Sequence, residues 1–267
     1  LMKENRGTIE GDITLKDAAF WTLHPVGCDD VLIQGIRILN DLKVPNNDGI
    51  DPDHCRNVRI SDCHIECGDD CIVIKTSREF AHFGPSENIT VTGCTMVSTS
   101  AAIKLGTEGV GDFRDMVFDA CIIRGSHRGL SIQLRDEGNV ENILFSNMVI
   151  ETRLFHTDWW GAAEPIYVTA VPRTAETKVG SVRNVRFRNI LCRGESGVYV
   201  RGTPGGEVAD IVFDDVRVQI DKTTRYEGGR RDQRPSAVGG LAHEPIAGFH
   251  VEQARDVTLR NCQVRWG

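Results

Sequence analysis

Val31-Leu32-Ile33, Val58-Arg59-Ile60, Ile89-Thr90-Val91, Met116-Val117-Phe118, Ile143-Leu144-Phe145, Val185-Arg186-Phe187, Ile211-Val212-Phe213 and Val257-Thr258-Leu259 are eight copies of one short pattern. Their starts are separated by 27, 31, 27, 27, 42, 26 and 46 residues, the two long intervals reading as one coil plus an insertion or as nearly two coils. Five residues past each start stand Ile36, Cys63, Cys94, Cys121, Met148, Ile190, Val216 and Cys262; seven past stand Ile38, Ile65, Met96, Ile123, Ile150, Cys192, Val218 and Val264. All 32 sampled positions, counting the first and third residue of each copy, are apolar in a chain that is 40% apolar. Alternation of period two marks strands with one buried face. A repeat that cannot bury its apolar face alone must stack on its neighbours. The expectation is an all-β chain wound as a parallel β-helix, one domain over residues 1–267, with loop insertions near 151–184 and 221–248. Gln263-Val264-Arg265-Trp266 still reads as strand, so a segment of a longer chain is expected.

Composition limits the function. The 267 residues carry 31 Lys plus Arg against 38 Asp plus Glu, a formal charge of −7. That balance argues against nucleic acid as a partner, because phosphate binding is driven by clustered cations. No apolar run approaches the roughly 18 residues of a membrane span, so no membrane partner is expected. Of the nine cysteines, Cys63, Cys94, Cys121 and Cys262 share one inward position and read as core thiols. Disulfides stay open for Cys28, Cys55, Cys67 and Cys71, and no Cys/His spacing resembles a zinc site.

A second register lies between the ladder strands. It runs through Ile72-Val73-Ile74-Lys75, Ile103-Lys104-Leu105, Leu130-Ser131-Ile132-Gln133, Ile166-Tyr167-Val168 and Val198-Tyr199-Val200. The apolar members point inward, which leaves Lys104, Ser131, Gln133, Tyr167 and Tyr199 to line an outer groove for an extended polymer. Beside it, Asn46-Asn47-Asp48-Gly49 precedes Cys67-Gly68-Asp69-Asp70 by 21 residues. Adjacent parallel strands lie about 4.8 Å apart, so equivalent coil positions would bring three carboxylates together. Repulsion among them raises at least one pKa and leaves a proton donor beside ionised partners. That is the equipment of glycoside hydrolysis. The bland alternatives are a turn, a solvated corner or a calcium site.

These two acidic motifs resemble those of the polygalacturonases and their relatives, glycoside hydrolase family 28, and the repeat extends the resemblance over nearly the whole chain. The resemblance implies a right-handed parallel β-helix and an inverting hydrolysis of a pectin-like polysaccharide or oligosaccharide. Asp69 would be the general acid, Asp48 and Asp70 would activate the water, and no metal or cofactor is implied. An extracellular or periplasmic monomer is implied, with the cytoplasm left open because Leu1-Met2-Lys3 begins no signal-peptide pattern. Three positions depart from the family. Ala101 stands where a His is expected, and Ser131 and Gln133 stand where an Arg and a Lys bind the sugar carboxylate. Either Lys75, Lys104 and Arg135 supply positive charge from shifted positions, or the glycan is different, neutral or branched.

Other residues complete the expected site. Trp160, with Trp159, and Glu164 and Tyr167 combine aromatic faces and carboxylates suited to sugars; filling a coil gap is the alternative for the tryptophans. His54 and His24 lie on coils near the acidic cluster. Lys104 would pair with an anion, or with Glu108, and Arg135-Asp136-Glu137 reads equally as a solvated turn. The segment 221–244, with Arg230, Arg231 and Arg234, is expected as a loop walling the groove, its basic run solvated. A polysaccharide lyase and a non-catalytic glycan-binding β-helix remain the competing readings.

Overall fold

A computed structural model of the chain describes residues 2, 3 and 6–267. The apolar triplets set its register. Val31 pairs with Val58, Val58 with Ile89, Ile89 with Met116, Met116 with Ile143, Ile143 with Val185, Val185 with Ile211 and Ile211 with Val257, every pair parallel. The two long intervals are therefore single coils carrying insertions. The positions seven residues past each start pair in the same way, from Ile38 with Ile65 to Val218 with Val264. A third row of strands, Ile72–Thr76, Ala101–Gly109, Arg128–Leu134, Ile166–Ala170, Val198–Arg201 and Phe249–Glu252, forms a separate six-stranded parallel sheet. The fold is a right-handed parallel β-helix.

The corners explain why the copies begin where they do. The residue before each start is Asp or Asn (Asp30, Asn57, Asn88, Asp115, Asn142, Asn184, Asp210 and Asp256), and all eight have positive φ. A second positive-φ corner follows four residues after each start, at Gly35, Asp62, Gly93, Ala120, Asn147, Asn189, Asp215 and Asn261. Asn and Asp enter this region most readily after Gly, because their short polar side chains bond locally. Here those side chains also bond from coil to coil: Asn142 Nδ2 donates to Asp115 Oδ1 at 2.9 Å and Asn184 Nδ2 to Asn142 Oδ1 at 2.6 Å.

Inside, like stacks on like. Phe118, Phe145, Phe187 and Phe213 form a column with centroid spacings of 4.8, 5.1 and 5.0 Å. Cys63, Cys94 and Cys121 are buried thiols of the same ladder, and Cys262 is half-buried. Cys67 and Cys71 are also free thiols, Cys67 Sγ donating to Cys71 Sγ at 3.4 Å with no disulfide between them.

The outer face of the third sheet differs from the expected groove. Arg230–Asp232 pairs antiparallel with Leu241–His243, and this hairpin folds back over the sheet. Tyr167 Oη donates to Asp232 O at 2.9 Å, Gln233 Nε2 donates to Tyr199 Oη at 2.9 Å, and the Arg128 guanidinium lies 3.8 Å over the Tyr167 ring. Tyr167 and Tyr199 are buried beneath it, Ser131 is buried with its hydroxyl accepting from Gln133, and none of the three lines an open groove. The basic run is likewise not solvated: Arg230 and Arg231 are both buried.

Candidate active site

The uncovered part of the third sheet lies toward the N-terminal coils, and the two acidic turns open there. Asn47 joins them. Its Oδ1 accepts from Gly68 N at 2.6 Å, and its Nδ2 donates to Asp41 O at 2.8 Å. Gly68 is required by this contact, since a Cβ there would stand 2.2 Å from Val44 O. Gly49 N donates to Asp70 O at 2.9 Å, fixing the next coil. As a result one carboxylate oxygen each from Asp48, Asp69 and Asp70 lie within 4.8 Å of one another.

The three are held differently. Asp70 accepts from Ser100 Oγ at 2.9 Å, Ala101 N at 3.0 Å and Lys104 Nζ at 2.5 Å. Asp69 Oδ2 accepts from Asn46 N at 3.0 Å, and Asp69, at 7% exposure, is the most open of the three. Burial, reinforced by the charge of Asp70, pushes the Asp69 carboxyl up to about 6. Asp48 Oδ1 has no hydrogen-bond partner, and burial pushes this carboxyl up to about 8 against the pull of Lys75. Asp51, fully buried behind them with both oxygens unbonded, is driven well above its ordinary range by burial and by Asp48. Lys75 Nζ balances the group from 3.9 Å to Asp48, 3.7 Å to Asp51 and 3.1 Å to Glu108. The three aspartates could each offer one oxygen to a cation, but two ammonium groups already supply positive charge among them.

A cleft of about 290 Å³ opens over this cluster, lined by Trp21, Asn46, Asp48, Asp69, Asp70, Lys75, Ser100, Lys104, Thr107, Glu108, Gln133, Trp160, Arg234 and Pro235. Lys75, Lys104, Gln133 and Trp160 thus share one cavity with the three aspartates. Trp159 does not face it; its Nε1 donates to Gly68 O at 3.0 Å and pins the insertion to the acidic turn. Other expected residues lie elsewhere. His54 is buried with Nε2 3.0 Å from Ser77 O and Nδ1 against Gly84 O. Arg135 is fully buried, donating to Thr169 Oγ1 at 2.9 Å and Leu134 O at 3.0 Å. Asp136 is no solvated turn residue, since Arg173 grips both its oxygens. Glu164 is buried against Arg128 at 3.1 Å and cannot reach a sugar. His24 bonds Asp53 at 3.2 Å and meets the Trp21 ring edge-on, so it supports the cleft from behind.

A family profile described as glycosyl hydrolases family 28 matches residues 2–228. The chain belongs to that family. A probable polygalacturonase of Vitis vinifera is 35% identical over 147 residues, which are 53% of this chain and 30% of the relative. An exopolygalacturonase of Zea mays is 25% identical over 236 residues, 82% of this chain and 53% of the relative. Among solved structures, a hyperthermoactive exopolygalacturonase from Thermotoga maritima superposes with a TM-score of 0.62 at 26% identity, covering 78% of this chain and 46% of that one. The chain spans about a third to a half of the length of these relatives.

Against this family 28 background the departures acquire a structural meaning. Ala101 supplies only its backbone N–H to Asp70, and the neighbouring Ser100 hydroxyl makes the adjacent bond. Ser131 is buried, while Gln133 reaches the cleft. Sequence reasoning missed Trp21 and Asp51, while Arg234 and Pro235 stand on the cleft wall, as expected of the 221–244 segment. Trp21 sits one coil before Asp48, a spacing that could have drawn attention to it: Thr22 N donates to Asp48 O at 2.9 Å. Nothing in the sequence separates Asp51 from Asp53.

Proposed function

We propose that this chain carries the catalytic centre of an inverting glycoside hydrolase that cleaves a pectin-like polysaccharide or oligosaccharide. The observation that supports this best is the meeting of Asp48, Asp69 and Asp70 at the floor of a cleft walled by two indoles. Asp69 holds a proton in mildly acidic solution and gives it to the departing glycosidic oxygen. Oxygens no more than 4.8 Å apart can both accept from one water about 2.8 Å from each. In this reading Asp48 holds such a water while Asp70, already an acceptor of three hydrogen bonds, takes its proton. The water oxygen bonds to the anomeric carbon from the face opposite the breaking C–O bond, which inverts the centre. A separate trough of about 480 Å³, also lined by Glu108, gives a longer chain of sugars room beyond the cleavage point. An extracellular or periplasmic location fits a polymeric substrate of this kind.

The lyase reading needs a Lys or Arg that accepts a proton. Lys75 and Lys104 resist this role: although burial alone would lower them, surrounding carboxylates, Glu108 first for Lys75 and Asp70 first for Lys104, hold both above the ordinary ammonium range. Reducing-end release from pectic polysaccharides tests the proposal. Asp69→Asn is expected to lower kcat by about 10²–10⁴ while calorimetry shows oligosaccharide affinity kept within a few-fold. A wild-type chain that forms unsaturated products, or a variant with unchanged turnover, refutes it.

A further inference from the structure

Among the described residues, every cation on the cleft wall is already engaged by a carboxylate. Lys75 serves Glu108, Asp51 and Asp48; Lys104 serves Asp70. Arg234 reaches the cleft from the far hairpin, but its Nε and Nη2 grip Asp232 at 2.9 and 2.8 Å. Against these three cations stand Glu108, Asp70 and Asp232, one carboxylate for each, with Asp69 also on the wall, while burial pushes Asp48 and the Asp51 behind it toward their protonated forms. Glu108 faces the cleft as an anion: burial opposes this, yet Lys75 and Lys104 hold its carboxyl far below the ordinary range. Gln133 offers a neutral amide, and Arg135, two residues further on, is sealed away.

A free carboxylate entering this cleft would meet Glu108 with no cation to spare. Drawing Lys75 toward it would strip Glu108 of its nearest cation, and drawing Lys104 would leave the buried Asp70 unpaired, a costly exchange either way. A hydroxyl suffers neither penalty, because Glu108 accepts from it and Gln133 and Thr107 bond it in either sense. Resting on the hydrolase reading above, we propose that the sugar seated over the three aspartates is uncharged, its C5 substituent a methyl, hydroxymethyl or ester group and not a free carboxylate. The cleft would then select neutral or esterified units within a pectic polymer.

The test compares de-esterified polygalacturonate with the same polymer after its carboxylates have been reduced to primary alcohols. The wild-type chain is expected to cleave the reduced polymer with kcat/KM at least tenfold higher. Glu108→Gln, which removes the repelling charge and releases Lys75, is expected to cut that preference at least fivefold. Added salt should favour the native polymer, since it screens like charges. Equal or faster cleavage of native polygalacturonate overturns the inference and leaves the hydrolase reading standing. Should neither polymer be cleaved, the hydrolase reading fails. Calorimetry with a galacturonate trimer and its reduced counterpart then decides the inference alone: tighter binding of the acid overturns it, tighter binding of the reduced sugar supports it.

Discussion

Replacing Asp48 with Asn should stabilise the protein while disabling it, and the gain should depend on pH in a defined way. The folded-state carboxyl lies at about 8 against an ordinary value of 3.8. Between those values the folded chain keeps a proton that the unfolded chain has lost. Stability therefore declines as pH rises through this window, by about 1.4 kcal/mol per pH unit for one full proton. The Asp48 contribution is intact below pH 3.8 and spent above about 8. Asn is neutral throughout and escapes the loss. At pH 7 the ceiling on the gain is roughly 4 kcal/mol; Asp51 and Asp69 titrate together with Asp48, so part of the effect belongs to the cluster and about 2–3 kcal/mol is expected. Urea unfolding of both proteins from pH 4 to 8 measures it. The two curves should coincide near pH 4 and diverge above it, with the variant the more stable. A variant less stable at pH 7, or a gain as large at pH 4 as at pH 7, would refute the argument that burial forces Asp48 to hold a proton.

Further predictions concern the other charged contacts. The kcat/KM profile should fall above about pH 6 as Asp69 gives up its proton; an undiminished rate at pH 8 would remove Asp69 as the acid. Lys104→Met leaves the buried Asp70 without its ammonium partner, and denaturant unfolding at pH 7 should show a loss of about 3–5 kcal/mol. Asp232→Ala frees Arg234 and Gly161 N from their anchor. It should raise KM for oligosaccharides several-fold with kcat little changed, a split that steady-state kinetics reads directly.

The ladder positions of residues 31–264 were legible because a strand buries every second side chain and a solenoid repeats that demand each coil. The same logic reached the acidic turns: Gly68 has no room for a Cβ, and Asn47 needs both turns at once. It failed for side chains pointing outward. Tyr167 and Gln133 lie on the same outer face of neighbouring strands, Tyr167 opposite Ser131 and Gln133 opposite Thr169, yet one is buried under a hairpin and the other lines the cleft. His54 and Arg135 failed for the same reason, since a polar residue at a coil corner looks alike whether it meets water or a distant backbone carbonyl.

Sequence by itself determined the winding, the inward ladders and the pairing of two acidic turns, because each follows from local alternation and near-neighbour coil contacts. Tertiary structure alone decided which part of the outer face stays open. It also decided that Trp21, Trp160 and Arg234, separated by more than two hundred residues between first and last, share one cleft with the aspartates. The physical reason is that insertions fold back by side-chain contacts with no period, as when Asp232 grips Arg234 and its backbone carbonyl accepts from Tyr167. The proton held among Asp48, Asp51 and Asp69 likewise arises only when burial and mutual charge act together, a condition no linear spacing encodes.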